Sequence, residues 1–399
     1  MDKKIKTMLH ISHNDADGMV PSAILESMLG MDIIRKDTNV SWMLKSFFIH
    51  PAKLFDTLKQ HLSDDVDYVV ITDLYISLEV LELLSNYIGI ERTLICDHHE
   101  ITYSMEDVYK IYSAEQDQKK IELLHRNIII ANDYNNVQTC ATTLFTSLGI
   151  YTLDEIFDTE LIHKIVTKDY NSYNDNIFTD TAKLCGYIRK LEYVSEITRL
   201  RDTFEFVDNL SDRRSIDSDY LYLSTVAISQ EEFVSFIVGY LDNPWYIGDD
   251  LFQPEQEGTN YYLSKNSLMA IKIEDLIIER NKAINYAKNT MRILPFFEKT
   301  GMYEKRRSCA VVIRETHAFS SEIGYQILSE YPNIDFVLIF DISGSAVELR
   351  SRKNGNFDCS QIARVLGGNG HKSAAGFPVS RDKNYKIIDG VFAEILLEN

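Results

Sequence analysis

The chain has 399 residues, 45% of them hydrophobic, with 17 Gly and 7 Pro, which predicts a packed protein of two domains rather than a disordered or fibrous one. Its 60 acidic against 41 basic side chains leave a formal net charge of −19. That balance argues against a protein that tracks long nucleic acid, because such proteins gain affinity by neutralising many phosphates with Lys and Arg. No run of about 18 apolar residues is present to span a bilayer, and the start MDKKIKTML lacks the apolar stretch of a signal peptide. Five scattered cysteines, never in CxxC spacing, point to a reducing compartment, the cytoplasm.

In chain order, KTMLHIS (6–12) predicts a strand and MVPSAILESML (19–29) the helix after it, with Pro21 tolerated in a first turn. DYVVITDL (67–74) predicts a second strand, SLEVLELLSNYI its helix, RTLIC (92–96) a third strand and NIIIAN (127–132) a fourth. CATTLFTSLG (140–149) predicts a helix ending at its glycine. Apolar strands alternating with amphipathic helices imply a parallel sheet covered on both faces, which binds ligands beyond the carboxyl ends of its strands. From about 181 to 305 the chain turns helical and charged, which predicts a connector. A second α/β unit is expected from about 306: SCAVVIRE strand, SSEIGYQILSEY helix, DFVLIF and SAVELRS strands, and DCSQIARVLG helix.

Acidic residues and histidines fall at these strand ends. His13, Asp15 and Asp17 follow the first, Asp73 the second, and Asp97, His98 and His99 the third; Asp169 ends the apolar segment LIHKIVTKD. Carboxylates gathered at one sheet edge cannot all stay ionised without counter-charge. Divalent metals resolve the conflict, and mixed carboxylate and imidazole ligands suit Mn²⁺, with Mg²⁺ or Co²⁺ as alternatives. Two such ions would clamp a phosphate and activate water without a nucleophilic side chain. The stretch HNDADG is not a calcium loop of the helix–loop–helix kind, because position 24, where that loop needs Glu, is Ile. For the last ligand, Asp133 in ANDYNN competes with Asp169, which its preceding apolar segment favours.

H-N-D-A-D-G (13–18), Asp73, D-H-H (97–99) and Asp169 together resemble the four successive motifs of the DHH phosphoesterase superfamily. LRS (349–351) and LGGNGHKSAAGF (366–377) resemble the signature of the type-1 DHH-associated C-terminal domain. His at position 13 and the length look most like the oligoribonuclease B (nanoRNase B) branch. The resemblance implies that His13, Asp15 and Asp73 hold one metal, and Asp17, Asp73, His98 and Asp169 the second, with Asp73 bridging. It also implies that His99 faces the scissile phosphate, and that Arg350, His371 and the amides of Gly367, Gly368 and Gly370 grip the substrate. Asn369 stands where the family's GGGH has a glycine, and Glu100 follows the triplet where an uncharged polar residue is common.

The expected architecture is therefore α/β: a parallel-sheet DHH domain (1–180), a helical connector (181–305) and a smaller α/β substrate-binding domain (306–399), with the active site in the cleft between domains. The expected activity is Mn²⁺-dependent hydrolysis of short oligoribonucleotides, about two to five nucleotides long, to mononucleotides; short substrates suit a chain with no basic track. A RecJ-like exonuclease on single-stranded DNA, or hydrolysis of 3′-phosphoadenosine 5′-phosphate or of linear or cyclic dinucleotides, are the alternatives. No membrane or long nucleic-acid partner is expected, and a homodimer is compatible with this reading.

Overall fold

A computed structural model describes residues 3–99, 101, 103–131, 139–167, 178–206, 211–243, 251–252, 268–300, 303–314, 318–341, 346–352, 355, 357–370 and 372–378. It divides into two units, Met1–Ile273 and Glu274–Asn399. The first unit opens with β1 (Lys4–His13), α1 (Ala16–Gly30), β2 (Val40–Ile49), α2 (Leu54–His61), β3 (Tyr68–Thr72) and α3 (Leu78–Tyr87). It continues with β4 (Thr93–Asp97), α4 (Met105–Ile111), α5 (Gln118–Asn127), β5 (Ile128–Ile130) and α6 (Ala141–Leu144). A π-helical turn (Phe145–Gly149) leads to α7 (Ile150–Thr152), α8 (Thr159–Val166), α9 (Phe178–Asp202), α10 (Arg213–Ala227) and α11 (Gln230–Asp242).

The five strands form one parallel sheet in the order β2-β1-β3-β4-β5. Strands β3 and β4 are buried along their length and β1 from Thr7 to Ser12, because both faces are covered there, and successive side chains feed opposite layers. Met8, Val70, Leu94 and Cys96 enter the layer that holds α1, α9 and α11. Leu9, Ile11, Val69, Ile71 and Ile95 enter the layer of α2 to α5. The chain steps from β1 outward to β2 and then returns to β3 on the other side of β1, so the strand order switches between β1 and β3. In open α/β sheets that switch point, at the carboxyl ends, is where ligands bind.

Several elements differ from the expectation. Strand β2 is not among the expected strands, since VSWMLKSFFI lies at the sheet edge, is only half-buried and mixes its apolar and polar residues without strict alternation. Helices α9 and α11 lie within the segment read as a connector, yet Leu184, Leu191, Val194, Ile197, Phe233 and Ile237 share one core with α1 and the sheet.

The second unit contains most of α12 (Leu268–Thr290), then β6 (Arg292–Thr300), β7 (Tyr303–Arg314), α13 (Ser320–Glu330), β8 (Phe336–Asp341) and β9 (Ala346–Ser351). It ends with α14 (Cys359–Val365), β10 (Asn369–Gly370) and β11 (Ala374–Pro378). Its mixed six-stranded sheet runs β10-β11-β9-β8-β7-β6, so residues 292–300, expected to be helical, instead form an edge strand paired antiparallel to β7. Among the described residues no helix is long and apolar enough to cross a membrane.

Candidate metal and active site

The site is assembled at the ends of β1, β3 and β4. Beneath it lies a buried polar layer: Ser12 Oγ donates to the Thr72 carbonyl (2.9 Å), Thr72 Oγ1 donates to Ser12 Oγ (3.0 Å), and His10 Nε2 meets Thr72 Oγ1 at 2.9 Å. His13 is the last residue of β1, and Asp15 is the extended N-cap of α1, accepting the Gly18 N–H at 3.1 Å. The helix thus begins at Ala16 rather than near Met19, which puts Asp17 inside its first turn. Gly18 is required sterically, because a Cβ there would overlap the His13 carbonyl oxygen. The buried Asp17 carboxylate accepts the N–H groups of Ala141 (2.7 Å) and Thr142 (2.8 Å), capping α6, whose own N-cap, Cys140, makes no side-chain capping bond to the backbone.

Asp73, just past β3, has a left-handed backbone (φ 54°), an uncommon and strained state for a non-glycine residue. Its N–H donates to the Cys96 carbonyl at 3.1 Å, tying this turn to β4. The conformation turns the buried side chain between two histidines: Oδ2 lies 3.5 Å from His13 Nδ1 and Oδ1 lies 3.3 Å from His98 Nε2. At the end of β4, Asp97 Oδ1 lies 2.7 Å from His99 Nδ1, which fixes that ring. Three overlapping groups of donor atoms result, each within 4.8 Å: His13, Asp15 and Asp73; Asp73, His98 and His99; and Asp17, His98 and Asp202.

Without a cation the cluster is electrostatically frustrated. Burial, and after it the charges of Asp15 and Asp17, raises the Asp73 carboxyl to about 6. Burial alone would lower His13, but Asp15 and Asp73 raise it to about 10, and His13 in turn holds Asp15 down at about 2 against its burial. His98 is raised well above the ordinary histidine range because Asp202 and Asp73 outweigh its burial. His99 is raised in the same way by Asp97. Partial withdrawal of its carboxylate from water, with the charges of Asp17, Asp73 and Asp15 behind it, raises Asp202 as well. Among the described residues, Asp73 Oδ2 is buried without a hydrogen-bond partner. An orphaned carboxylate oxygen among imidazole and carboxylate donors fits a divalent cation, which would supply the missing positive charge.

The structure therefore gathers His13, Asp15, Asp17, Asp73, His98 and His99 in one place. Asp169, its competitor Asp133, Glu100 and His371 lie outside the described residues. Asp202 is the residue that sequence reasoning missed. It ends a long helix inside the segment read as a connector, and neither a strand end nor a motif marks it.

In the second unit, Arg350 lies on β9, its Nη2 2.7 Å from Glu348 Oε2 and its Nε and Nη2 donating to Ser321 Oγ at 3.3 and 3.2 Å. Arg350 packs over Gly324, where a Cβ would fall 2.6 Å from its Cβ and Cγ. Gly367 (φ 80°) closes α14: its N–H donates to Arg364 and that of Gly368 to Ala363, so neither amide is open to an anion here. Gly370 (φ 144°) pairs with Ala375 of β11.

No family model matches the chain, and no curated protein matches it. Among solved structures, the DHH domain of PF0399, described as a member of the s1p family of ribosomal proteins, is 11% identical at a TM-score of 0.51, covering 98% of this chain and 87% of that one. The chain has the fold of a DHH domain. Lower TM-scores relate it to a pGpG-specific phosphodiesterase, PggH, from Vibrio cholerae (0.47; 10% identity; 98% of this chain, 100% of that one). RecJ in complex with Mn²⁺ from Thermus thermophilus scores 0.48, at 13% identity over 98% of this chain and 52% of that one.

Proposed function

We propose that the protein is a phosphodiesterase of the DHH superfamily, of the oligoribonuclease B type, that degrades short oligoribonucleotides to mononucleotides with Mn²⁺ as its resident metal. The observation that carries the reading is the placement of Asp73, whose two oxygens face two histidines on different strand ends. In this reading His13, Asp15 and Asp73 hold one ion and Asp17, Asp73 and His98 the other, with Asp169 as a further ligand. Bound ions would polarise the phosphate and lower the pKa of an attacking water.

The chain's own residues do the rest. Asp73 keeps the two ligand groups in register through its strained turn. Asp97 holds His99 by its Nδ1 and so sets the direction of Nε2, which in this reading orients the scissile phosphate or delivers a proton to the leaving oxygen. Arg350, whose Nε and Nη2 are held by Ser321 and Glu348 and whose Nη1 donates to the Leu349 carbonyl, would attract a phosphate by its charge and by its remaining N–H groups. A short substrate accords with a net charge of −19, since affinity then comes from local groups and not from a basic track.

The test is cleavage of labelled RNAs of two to five nucleotides, of a longer RNA of about twenty, of pApA and of single-stranded DNA, each with Mn²⁺ or EDTA. Mononucleotides released fastest from the short RNAs, and only with metal, are expected. No cleavage of any of them with Mn²⁺ would overturn the reading, and preferential digestion of long DNA would favour the RecJ-like alternative.

A further inference from the structure

The imidazole of His98 lies between carboxylates on opposite sides. On one side Nε2 faces Asp73 Oδ1 at 3.3 Å and Asp17 Oδ2 at 3.9 Å; on the other Nδ1 faces Asp202 Oδ2 at 3.6 Å. The two ring nitrogens direct their lone pairs or protons apart, so one ion cannot engage both. The side that shares Asp73 with the other ligand group is the Nε2 side. We propose that Asp202 is a positioning residue: its carboxylate takes the Nδ1–H of His98 and so commits Nε2 to the cation. This rests on the two-metal reading above and deepens it. Histidines that ligate metals commonly donate their second ring N–H to a carboxylate in this way, which fixes tautomer and orientation.

The surroundings of Asp202 are built to hold it still. Asp202 is the last residue of α9, where a frayed end would let a carboxylate wander. Directly before it, the Arg201 guanidinium lies over three rings, those of Tyr222, Phe206 and Phe204, at 3.6, 4.8 and 5.5 Å from their centroids, and 3.5 Å from Asp219. Two residues earlier, Arg199 pairs with Glu196 (2.8 Å) and with Glu205 beyond the helix end (2.9 Å). Phe204 then takes a left-handed backbone, φ 60°. The helix end is clamped on both sides of Asp202. The neighbouring imidazole repeats the arrangement within its own motif, Asp97 standing behind His99 at 2.7 Å. For His98 the equivalent carboxylate comes from a helix remote in sequence.

Mn²⁺ binding to the EDTA-stripped full chain, followed by the electron paramagnetic resonance of free Mn²⁺, tests this without reference to turnover. Asp202→Ala should weaken uptake about 10- to 100-fold, and Asp202→Asn, which keeps a hydrogen-bond acceptor and nearly the same shape, should recover part of the loss. In a His98→Ala background, Asp202→Ala should change nothing further. Melting curves without metal show that each variant is folded. Unchanged affinity in both Asp202 variants would overturn the inference, as would a full additional loss in the His98→Ala background, the mark of a direct ligand or an independent structural role. A wild-type chain that takes up no Mn²⁺ would instead overturn the metal reading itself.

Discussion

Oδ1 of Asp73 lies 3.3 Å from Nε2 of His98, although the two residues end different strands and are brought together only because β3 and β4 are neighbours. The other oxygen of Asp73 faces His13 across the adjacent pair β1 and β3. Removing this carboxylate should therefore disable both ligand groups at once. Asp73→Asn should lower phosphodiesterase turnover more than about 100-fold, the loss of several kcal/mol of charge stabilisation. Asn tolerates the left-handed backbone, whereas Asp73→Ala is strained there by roughly 1–2 kcal/mol. The asparagine variant should thus melt above the alanine variant in EDTA, and neither should show the full rise in melting temperature that Mn²⁺ gives the wild type. A metal-induced rise in Asp73→Asn equal to wild type would refute the bridging role.

The Asp97–His99 pair predicts a separable kinetic effect. His99→Asn removes the group held toward the phosphate and should lower kcat about 10²- to 10⁴-fold with KM little changed. Asp97→Asn leaves the imidazole present but loosens its orientation, so its kcat should fall by less. Steady-state kinetics on a short RNA decide. An Asp97→Asn defect confined to KM would remove Asp97 from the chemistry.

Arg350 should behave as a substrate-holding group. Its guanidinium is already directed by Glu348 and Ser321, so Arg350→Ala should raise KM about 10- to 100-fold with a modest effect on kcat, the value of a charge-assisted hydrogen bond. Arg350→Lys keeps the charge and loses the fork, and should fall between the two. A fall in kcat at unchanged KM would move Arg350 into transition-state stabilisation.

How much of this was legible in the sequence follows from how local each signal is. His13, Asp15, Asp17, Asp73, His98 and His99 sit directly after apolar runs, so strand ends and site residues are marked by the same short segments. Strand β2 escaped because an edge strand is half-buried and need not read as a continuous apolar run. Strand β6 escaped because it follows the long charged helix α12 without a clear break. Asp202 escaped for a different reason: its position depends on α9 packing against α1, and no spacing rule links the strand end at His98 to a helix end 104 residues later. The glycine segment 367–370 reads as an anion cradle, whereas two of its amides close α14, a use that the same residues satisfy equally well in sequence.

Gly18 offers a test of the turn that carries the first ligands. A Cβ at this position would overlap the His13 carbonyl oxygen and sit 2.5 Å from Ser12 Oγ, both in the polar layer beneath the site. Gly18→Ala should destabilise the fold by about 2–3 kcal/mol, the range of overpacking in a close-packed interior. Gly30→Ala, at the end of the same helix with nothing within 4 Å of the added methyl, is the control and should be neutral or stabilising. Urea titrations of the two variants give the comparison, and equal midpoints would show that the β1–α1 turn yields more readily than its contacts suggest.

His10 predicts how stability depends on pH. It is fully buried on β1, and burial lowers its pKa from 6.5 to about 3. With the proton on Nε2, the ring donates to Thr72 Oγ1, which donates onward to Ser12, while Nδ1 is buried with no hydrogen-bond partner among the described residues. A second proton would sit on Nδ1, where no described residue accepts it. Above pH 6.5 the ring is neutral in both folded and unfolded chains and contributes no pH dependence. As the pH falls from 6.5 toward 3, the unfolded chain takes up a proton that the folded chain refuses, so stability is lost progressively across that window. At pH 5 the loss from this residue is about 2 kcal/mol, at 1.36 kcal/mol for each pKa unit. His10→Gln keeps a donor for Thr72 and does not titrate, so its unfolding free energy should fall less steeply than that of the wild type between pH 6.5 and 5, by about that amount. Parallel pH profiles for the two proteins would mean that the buried imidazole accepts its second proton after all.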